Sequence, residues 1–310
     1  MGMLDGKVGI ITGAGRGIGR VEAMAMARAG CDLLLNDLGC SLEGEGNTEI
    51  VDEVVKEVQK YDIRAIPNYD SVIDYKKTKE MIDQAISEFG KIDIIINNAG
   101  IIRDRMIYNM SEDEWDEVIA VHLKGVFNMC KHAGKYFRAR GKADKKFSGR
   151  ILNAVSDAGL LGNLGQANYG AAKAGIASLT LIAAGELKKY ATVNGIIQIA
   201  RTRFTTSTPQ LSHLIHKKDG EGFDIFHPAN VTPLVVYLAS DSAKRITGEI
   251  FRIVGDKCWV LRGWHDANCI NNKGKPFTPE ILAQKLKAEL LRDIPKKQTM
   301  MEVFSNLVKM

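Results

Sequence analysis

A tyrosine and a lysine stand four residues apart in the segment NYGAAKAG, residues 168–175. On a helix, Tyr169 and Lys173 would share one face, one turn apart. A free phenol has a pKa of about 10, and a neighbouring ammonium would favour the phenolate and lower that pKa. Tyr169 could then accept the proton of a secondary alcohol, or return it to a ketone. An exposed lysine beside a half-buried tyrosine is the alternative interpretation.

A serine precedes this pair at a useful place. Ser156 ends the apolar run GRILNAVS and stands thirteen residues before Tyr169. In a doubly wound sheet, ligands bind beyond the carboxyl ends of the strands. The following loop can return the chain so that the helix with Tyr169 faces Ser156. The serine hydroxyl could then hold a substrate oxygen near the phenol while a nicotinamide exchanges hydride with the carbon.

A glycine-rich segment, TGAGRGIG at residues 12–19, joins the first apolar run to the first amphipathic one. Its Gly13, Gly17 and Gly19 have the spacing G-x-x-x-G-x-G. Such a backbone can turn sharply, approach a pyrophosphate closely and point a helix N-terminus at it. The segment predicts dinucleotide binding, with a purely structural role for the glycines as the alternative.

An acidic residue, Asp37, follows the second apolar run at about the distance expected in a dinucleotide-binding unit. Its carboxylate could accept hydrogen bonds from the adenosine ribose and would repel a 2′-phosphate, which favours NAD over NADP. Arg16, inside the glycine loop, could tolerate that phosphate. The sequence therefore predicts NAD and keeps NADP as the less favoured cofactor.

Short apolar runs alternate with longer amphipathic segments along most of the chain. Strands are predicted at 7–12, 31–37, 63–70, 92–100, 149–156, 193–200 and, as the last one, 248–255. Helices are predicted at 17–30, about 48–60, 111–138 and 167–190, and a further one follows the third strand and ends at about residue 89. This alternation indicates an α/β fold: a doubly wound, mostly parallel Rossmann sheet with helices on both faces. We expect a single domain over residues 1–265 and a C-terminal helical extension over 266–310.

Two polar segments interrupt the alternation. Residues 138–149 are predicted to form an exposed loop, and residues 204–226 a long connection of the kind that often forms a lid. Cationic side chains gather in and beside this lid: Arg201, Arg203, His213, His216, Lys217 and Lys218. They could hold the phosphates of coenzyme A, or they could form a solvated charged face.

The extension has its own helix signal. Thr278 is a predicted N-cap with Pro279 in the first turn. Leucines repeat every fourth residue after it, at Leu282, Leu286 and Leu290. This spacing predicts a helix that packs one face against another element.

The composition excludes several functional classes. A net charge of +5 over 310 residues is too mild for a strongly basic nucleic-acid-binding protein. The five cysteines are odd in number and contain no C-x-x-C pair, which argues against a disulfide framework or a metal site. The sequence shows no signal peptide and no apolar run of about 20 residues, so we expect a cytoplasmic protein without a membrane partner.

Taken together, the motifs TGxxxGxG at 12–19, NNAG at 97–100, Ser156 and YxxxK at 169–173 resemble the short-chain dehydrogenase/reductase family. The resemblance covers roughly residues 5–265. It implies that Tyr169 is the acid–base, that Lys173 supports it and binds the nicotinamide ribose, and that Ser156 orients the substrate. The implied cofactor-binding set is Gly13, Arg16, Gly17, Ile18, Gly19, Asp37, Asp70, Asn98, Ala99, Gly100, Tyr169, Lys173 and Thr202.

The chain departs from the family pattern at two places. His122 stands where many members have an asparagine that supports a proton-relay water, and a packed helix histidine is the alternative. The segment VNGIIQIARTRFT has Gln198 and Ile199 where much of the family has Pro-Gly. In the family that turn lies over the nicotinamide, and Thr202 is the predicted contact to its carboxamide.

Several stretches, among them NDLG, NNAGIIRDR, VHLKG and GNLGQANYGAAKAG, are similar to (3R)-hydroxyacyl-CoA dehydrogenases and related hydroxysteroid dehydrogenases. The resemblance implies a 3-hydroxyacyl-CoA substrate. A hydroxysteroid dehydrogenase and an NADPH-linked 3-oxoacyl-carrier-protein reductase are alternatives. A dinucleotide-binding regulatory module without turnover is a third, although it has no need of Ser156, Tyr169 and Lys173 together. The resemblance also implies a homodimer or homotetramer with helices 111–138 and 167–190 at the interface.

Overall fold

The computed structural model describes residues 2–39, 49–207, 215, 222–263, 266–292 and 296–309. The chain divides into two compact units, Met1–Leu261 and Arg262–Met310. The sequence predicts this boundary at residue 265.

Eight strands in the described residues form one sheet. They are β1 Val8–Thr12, β2 Asp32–Asn36, β3 Ala65–Asn68, β4 Ile94–Asn97, β5 Gly149–Val155, β6 Ala191–Gln198, β7 Ile250–Val254 and β8 Lys257–Leu261. Their order is β3-β2-β1-β4-β5-β6-β7-β8. Neighbours from β3 to β7 pair in parallel. The predicted doubly wound, mostly parallel sheet is therefore confirmed.

The prediction that β7 is the last strand is wrong. After β7 the chain turns at Gly255, whose φ of +56° suits glycine, and β8 returns antiparallel to β7. Residues of β8 alternate between half-buried and exposed, because this strand lies at the edge of the sheet. It therefore lacks the continuous apolar run that marks the inner strands.

Helices cover the sheet and follow most strands. In the first unit they are α1 Gly17–Arg28, α2 Glu49–Val58, α3 Tyr75–Phe89, α4 Glu112–Ile119, α5 Gly125–Ala143, α6 Asp157–Leu161, α7 Ala167–Leu187, α8 Arg203–Ser207 and α9 Thr232–Ala239. Short 3-10 turns lie at Gln59–Tyr61, Pro228–Val231 and Asp241–Ala243. The predicted Ser111–Glu114 capping box opens α4.

The predicted single helix 111–138 is wrong in two respects. A π-helical turn, Ala120–Lys124, separates α4 from α5, and α5 continues to Ala143 into the predicted exposed loop. Tertiary contacts hold this extra stretch. Gly141 is buried, and the guanidinium of Arg140 donates to the carbonyl of Ile92 at 3.1 Å.

A row of polar side chains crosses the carboxyl ends of five neighbouring strands. Thr12 pairs in register with Asn36 and with Asn97, Asn36 pairs with Asn68, and Asn97 pairs with Asn153. All five residues are buried. The amide of Asn36 donates to Asn68 at 2.8 Å, and that of Asn97 donates to Asn153 at 2.8 Å. This row bonds the strand ends together directly beneath the crevice where ligands of such folds bind.

The second unit contains α10 Pro279–Lys285, a π-helical segment Leu286–Leu290, and α11 Met300–Lys309. Thr278 accepts a hydrogen bond from the Ile281 amide, so the predicted N-cap is confirmed. In the described residues, no helix is long and apolar enough to cross a membrane.

Candidate active site

The glycine loop forms a close-fitting cradle at the end of β1. Gly13 and Gly17 have φ of +66° and +54°, a region that suits glycine. A Cβ on Gly19 would lie 2.1 Å from the carbonyl oxygen of Gly13, so this position allows no side chain. Helix α1 starts at Gly17 without a side-chain hydrogen bond from its N-cap, Arg16. Its first N–H groups are thus available to an anion such as a pyrophosphate.

A cavity of about 380 Å³ opens beyond this loop. It lies where the strand order reverses, since β1 pairs with both β2 and β4. Ten of the predicted cofactor-binding residues line it: Gly13, Arg16, Gly17, Ile18, Asp37, Asp70, Asn98, Ala99, Gly100 and Thr202. The other three predicted residues, Gly19, Tyr169 and Lys173, do not line it. The size, the glycines and the position fit a dinucleotide.

Asp37 is held against the glycine loop by backbone donors. Its Oδ2 accepts from the Gly15 amide at 2.8 Å, and its Oδ1 accepts from the Gly39 amide at 2.7 Å. Each carboxylate oxygen can accept a further hydrogen bond. The carboxylate is therefore fixed at the cavity wall, as the contact to a ribose would require.

The NNAG segment is joined to the glycine loop on the opposite wall. The amides of Asn98 and Ala99 donate to the Thr12 hydroxyl at 3.1 and 3.2 Å, and the Asn98 side chain donates to the Gly13 carbonyl at 3.0 Å. A Cβ on Gly100 would lie 2.4 Å from Cε1 of His122. Gly100 thus brings the cavity wall into contact with His122.

The structure brings Ser156, Tyr169 and Lys173 together. Tyr169 and Lys173 lie one turn apart on α7, with the lysine Nζ 5.5 Å from the centroid of the phenol ring. Lys173 is buried and donates to the Ala154 carbonyl at 2.6 Å. The Ser156 hydroxyl lies close enough to the Tyr169 phenol to lower its pKa, and it caps α6 by accepting from the Ala158 amide at 3.2 Å.

The predicted lowering of the Tyr169 pKa is wrong for the chain by itself. Burial raises the pKa of Tyr169 to about 12, because its effect is larger than the lowering of the pKa by Ser156. Burial also lowers the pKa of Lys173 to about 7, so the amine is only partly charged at neutral pH. Desolvation disfavours the charged form of both groups and outweighs their proximity.

His122 sits within the π-helical turn between α4 and α5. Its ring meets that of Tyr169 edge-on, with 5.1 Å between centroids. Its Nε2 lies 2.8 Å from the carbonyl oxygen and 3.1 Å from the amide nitrogen of Ile101. Nδ1 is buried and has no hydrogen-bond partner in the described residues. The position beside the phenol agrees with a role in catalysis, which stays a prediction.

We expect His122 to make the folded protein less stable in acid. Burial lowers the pKa of His122 from 6.5 to about 3. Between these values the unfolded chain binds a proton that the folded chain does not, so stability falls as the pH drops below 6.5. This residue should lower the unfolding free energy by about 2 kcal/mol from pH 7.5 to pH 5.

Urea unfolding of the wild type and of His122→Asn at both pH values would measure this contribution. The loss between pH 7.5 and 5 should be about 2 kcal/mol smaller in the variant. The exposed His227, changed to asparagine, is the control and should leave the wild-type difference in place. Equal pH dependence of the wild type and His122→Asn would contradict the buried neutral histidine.

Past Gln198, the chain closes over the cavity without the family's Pro-Gly turn. The Ile199 amide donates to the Ile253 carbonyl at 3.1 Å. Thr202 lines the cavity, and its amide donates to the Thr205 hydroxyl at 2.8 Å. One backbone bond to β7 and one bond to a side chain thus hold this stretch where the family has Pro-Gly.

The predicted cationic lid is only partly described. His213, His216, Lys217 and Lys218 lie outside the described residues. Arg203 lines the cavity, whereas Arg201 bonds the Asp224 carboxylate and the Ile215 carbonyl. Arg201 therefore connects the residues before the segment 204–226 with Ile215 and Asp224 inside it. Its charge alone does not reveal this role.

Sequence reasoning missed three residues that hold the site in place. Asn168 donates to the carbonyl oxygens of Arg103 and Glu114 at 3.0 and 2.8 Å and so fixes the start of α7. Asp157, next to Ser156, is buried and receives a hydrogen bond of 3.0 Å from Nε of Arg252 on β7. Asn168 could have been recognised from the sequence, because a polar residue at the buried start of a helix needs hydrogen-bond partners. Asp157 and Arg252 are 95 residues apart in the sequence, so no local pattern indicates that they form a pair.

A sequence profile described as short chain dehydrogenase matches residues 7–210. This chain belongs to that family. Hydroxyacyl-CoA dehydrogenase ChsB1 of Mycobacterium tuberculosis is 36% identical over 286 residues, which cover 92% of this chain and 88% of that protein. The peroxisomal hydratase-dehydrogenase-epimerase of Saccharomyces cerevisiae is 40% identical over 284 residues, or 91% of this chain but only 30% of that enzyme.

A solved short chain dehydrogenase from Mycobacterium avium is 41% identical and superposes with a TM-score of 0.84, covering 96% of this chain and 99% of that one. The predicted family and enzyme class are thus confirmed: this short-chain dehydrogenase is an oxidoreductase acting on CH–OH groups.

Proposed function

We propose that this protein is an NAD-dependent dehydrogenase that interconverts a 3-hydroxyacyl-CoA and its 3-oxo form. The grouping of Ser156, Tyr169 and Lys173, which His122 connects to the cavity wall at Gly100, carries the proposal. The names of the relatives support the thioester substrate: one is a hydroxyacyl-CoA dehydrogenase, and another includes a dehydrogenase in a multifunctional enzyme.

In the proposed mechanism, the Ser156 hydroxyl binds the substrate oxygen and orients it toward the phenol. Tyr169 accepts the hydroxyl proton during oxidation and donates it during reduction. Lys173, in its charged form, stabilises the phenolate. When bound, NAD supplies the hydride acceptor and a positive ring that adds to this stabilisation. Asp37 would hold the adenosine ribose, and the glycine loop would hold the pyrophosphate.

Turnover assays on a substrate panel test the proposal. We expect NAD to support oxidation of one enantiomer of a 3-hydroxyacyl-CoA with a kcat/KM above that for hydroxysteroids. A preference for NADPH and 3-oxoacyl-carrier protein would favour the reductase alternative. Tight NADH binding without turnover on any hydroxyl or keto compound would favour the regulatory module.

We expect Asp37→Asn to weaken the preference for NAD. The carboxylate repels a 2′-phosphate, and its loss should shift the ratio of kcat/KM values toward NADP about tenfold or more. Arg16, which lines the same cavity, could then contact the phosphate. The ratio with both cofactors is measured at one fixed substrate concentration.

Asp70→Asn is the matched control, because Asp70 is a second carboxylate that lines the cavity. It should change the two kcat/KM values by similar factors. An unchanged ratio in Asp37→Asn would contradict the assignment of Asp37 as the residue that selects the cofactor.

A homodimer or homotetramer in the cytoplasm completes the proposal. Exposed apolar side chains on α5 and α7 support self-association: Phe127 is 46% exposed, Leu181 48% and Ile182 54%. Light scattering in solution would measure the oligomeric state. Because relatives include peroxisomal enzymes, the location is tested by imaging the tagged full chain.

A further inference from the structure

A buried glutamate lies on the helix that follows the glycine loop. Glu22, on α1, is 1% exposed. Its Oε1 accepts a hydrogen bond of 2.6 Å from the side-chain amide of Gln198. Its Oε2 is buried and has no hydrogen-bond partner in the described residues. Neither residue belongs to the acid–base machinery, so the pair requires another explanation.

The burial of Glu22 makes this contact unusual. Burial raises the pKa of Glu22 to about 7, and the bond from Gln198 offsets this only in part. The side chain is thus partly a neutral acid at neutral pH. Because a buried polar group with one unbonded oxygen is costly, an aliphatic residue of similar length would suit the same place better.

Gln198 is the last residue of β6, at the point where the chain leaves the sheet. Up to Ile199 the backbone is held by its bonds to β7. From there the segment 199–202 runs to the cavity wall, and the Arg201 amide donates to the Phe226 carbonyl at 2.8 Å on the way. The bond between Gln198 and Glu22 joins residues 176 positions apart and acts where this segment leaves the sheet.

The same two elements meet again at the cavity. A Cβ on Gly17, the first residue of α1, would lie 3.7 Å from Cγ2 of Thr202. Both Gly17 and Thr202 line the cavity. Helix α1 therefore meets the segment 199–202 at Gly17–Thr202 on the cavity wall, and it meets the end of β6, just before that segment, at Glu22–Gln198.

We infer that Glu22 and Gln198 are positioning residues that hold the segment 199–202 against the start of α1 and so determine how tightly the dinucleotide binds. The inference rests on the proposed function, since it concerns the same cavity. It explains how this chain closes the nicotinamide end of the cavity with Gln198 and Ile199 in place of Pro-Gly.

Four variants test the pair: Glu22→Met, Gln198→Met, the double variant and Glu22→Gln. The dissociation constant for NADH, from fluorescence titration, and the Tm without cofactor are measured for each. Each Met variant should weaken NADH binding about tenfold, and the double variant no further, because all three lose one bond. Glu22→Gln keeps an acceptor oxygen and should stay within about twofold of the wild type.

The Tm separates positioning from a merely structural role. We expect Glu22→Met to keep or raise the wild-type Tm, since it removes a poorly solvated carboxyl, while NADH binding weakens. Thr192→Val is the control. Thr192 is a buried residue of β6 whose hydroxyl has no partner in the described residues, and this change should leave NADH binding unchanged.

Wild-type affinity for NADH in both single Met variants would overturn the inference, as would additive losses in the double variant. Either result would leave the proposed function in place as long as the wild type turns over its substrate. A wild type that fails to bind NADH would overturn the proposed function and the inference with it.

Discussion

Tyr169→Phe should lower kcat for 3-hydroxyacyl-CoA oxidation about a thousandfold while the NADH dissociation constant changes by less than about threefold. The substitution removes only the hydroxyl that exchanges the proton. The ring remains, so its edge-on contact with His122 and its position near Lys173 are kept. Steady-state kinetics and fluorescence titration on the same preparations measure both values.

Tyr136→Phe provides the matched control. Tyr136, on α5, also has a hydroxyl in a hydrogen bond, since it accepts from the Ile92 amide at 3.2 Å. This variant should retain kcat within about threefold, because no proton transfer depends on that hydroxyl. An unchanged oxidation rate in Tyr169→Phe would contradict the proposed mechanism at its central step.

The pH dependence of the wild type follows from the same residue. Oxidation needs the phenolate, and burial raises the pKa of Tyr169 to about 12 in the chain alone. We expect oxidation to speed up as the pH rises above 7, and to level off below pH 12 if bound NAD lowers the pKa. Ketone reduction needs the protonated phenol and should slow over the same range. In Tyr169→Phe, the residual rates of oxidation and of reduction should both lose this dependence on pH.

The inner part of the fold follows from local sequence, because strands buried on both faces are apolar throughout. β4, with the sequence IIIN, is recognised for this reason. β8 is not, since an edge strand alternates between half-buried and exposed residues. The π-helical turn at His122 could not be predicted either. The contacts that His122 makes within it are to Gly100 and Ile101, which are distant in sequence.

The site shows the same division between spacing and burial. Spacing alone places Tyr169 beside Lys173, and the structure has them on one face of α7. Their pKa values depend on burial, about which the spacing of residues gives no information. The pKa of Tyr169 is therefore raised, whereas the sequence predicts that it is lowered. Likewise, the departure at Gln198 is visible in the sequence, whereas its partner Glu22 is 176 residues away and on another element.

Gly19→Ala should weaken NADH binding about a hundredfold or more, although it adds a single methyl group. The new Cβ would lie 2.1 Å from the Gly13 carbonyl oxygen and 2.6 Å from Nδ2 of Asn98. The first of these atoms belongs to the backbone, so the glycine loop itself must move. Gly13 also packs on Ala99, and the displacement would therefore reach the opposite wall of the cavity.

Two further glycines separate this effect from general strain. Gly17→Ala meets nothing closer than 3.7 Å but has φ of +54°, so only backbone strain should appear, with about a tenfold loss. Gly185→Ala, on α7, meets nothing within 4 Å and should leave binding unchanged. Isothermal titration with NADH on all three variants should give losses in the order Gly19, Gly17, Gly185. Equal losses at Gly19 and Gly17 would contradict the role of the Gly13 carbonyl, because strain rather than close approach would then control the shape of the cradle.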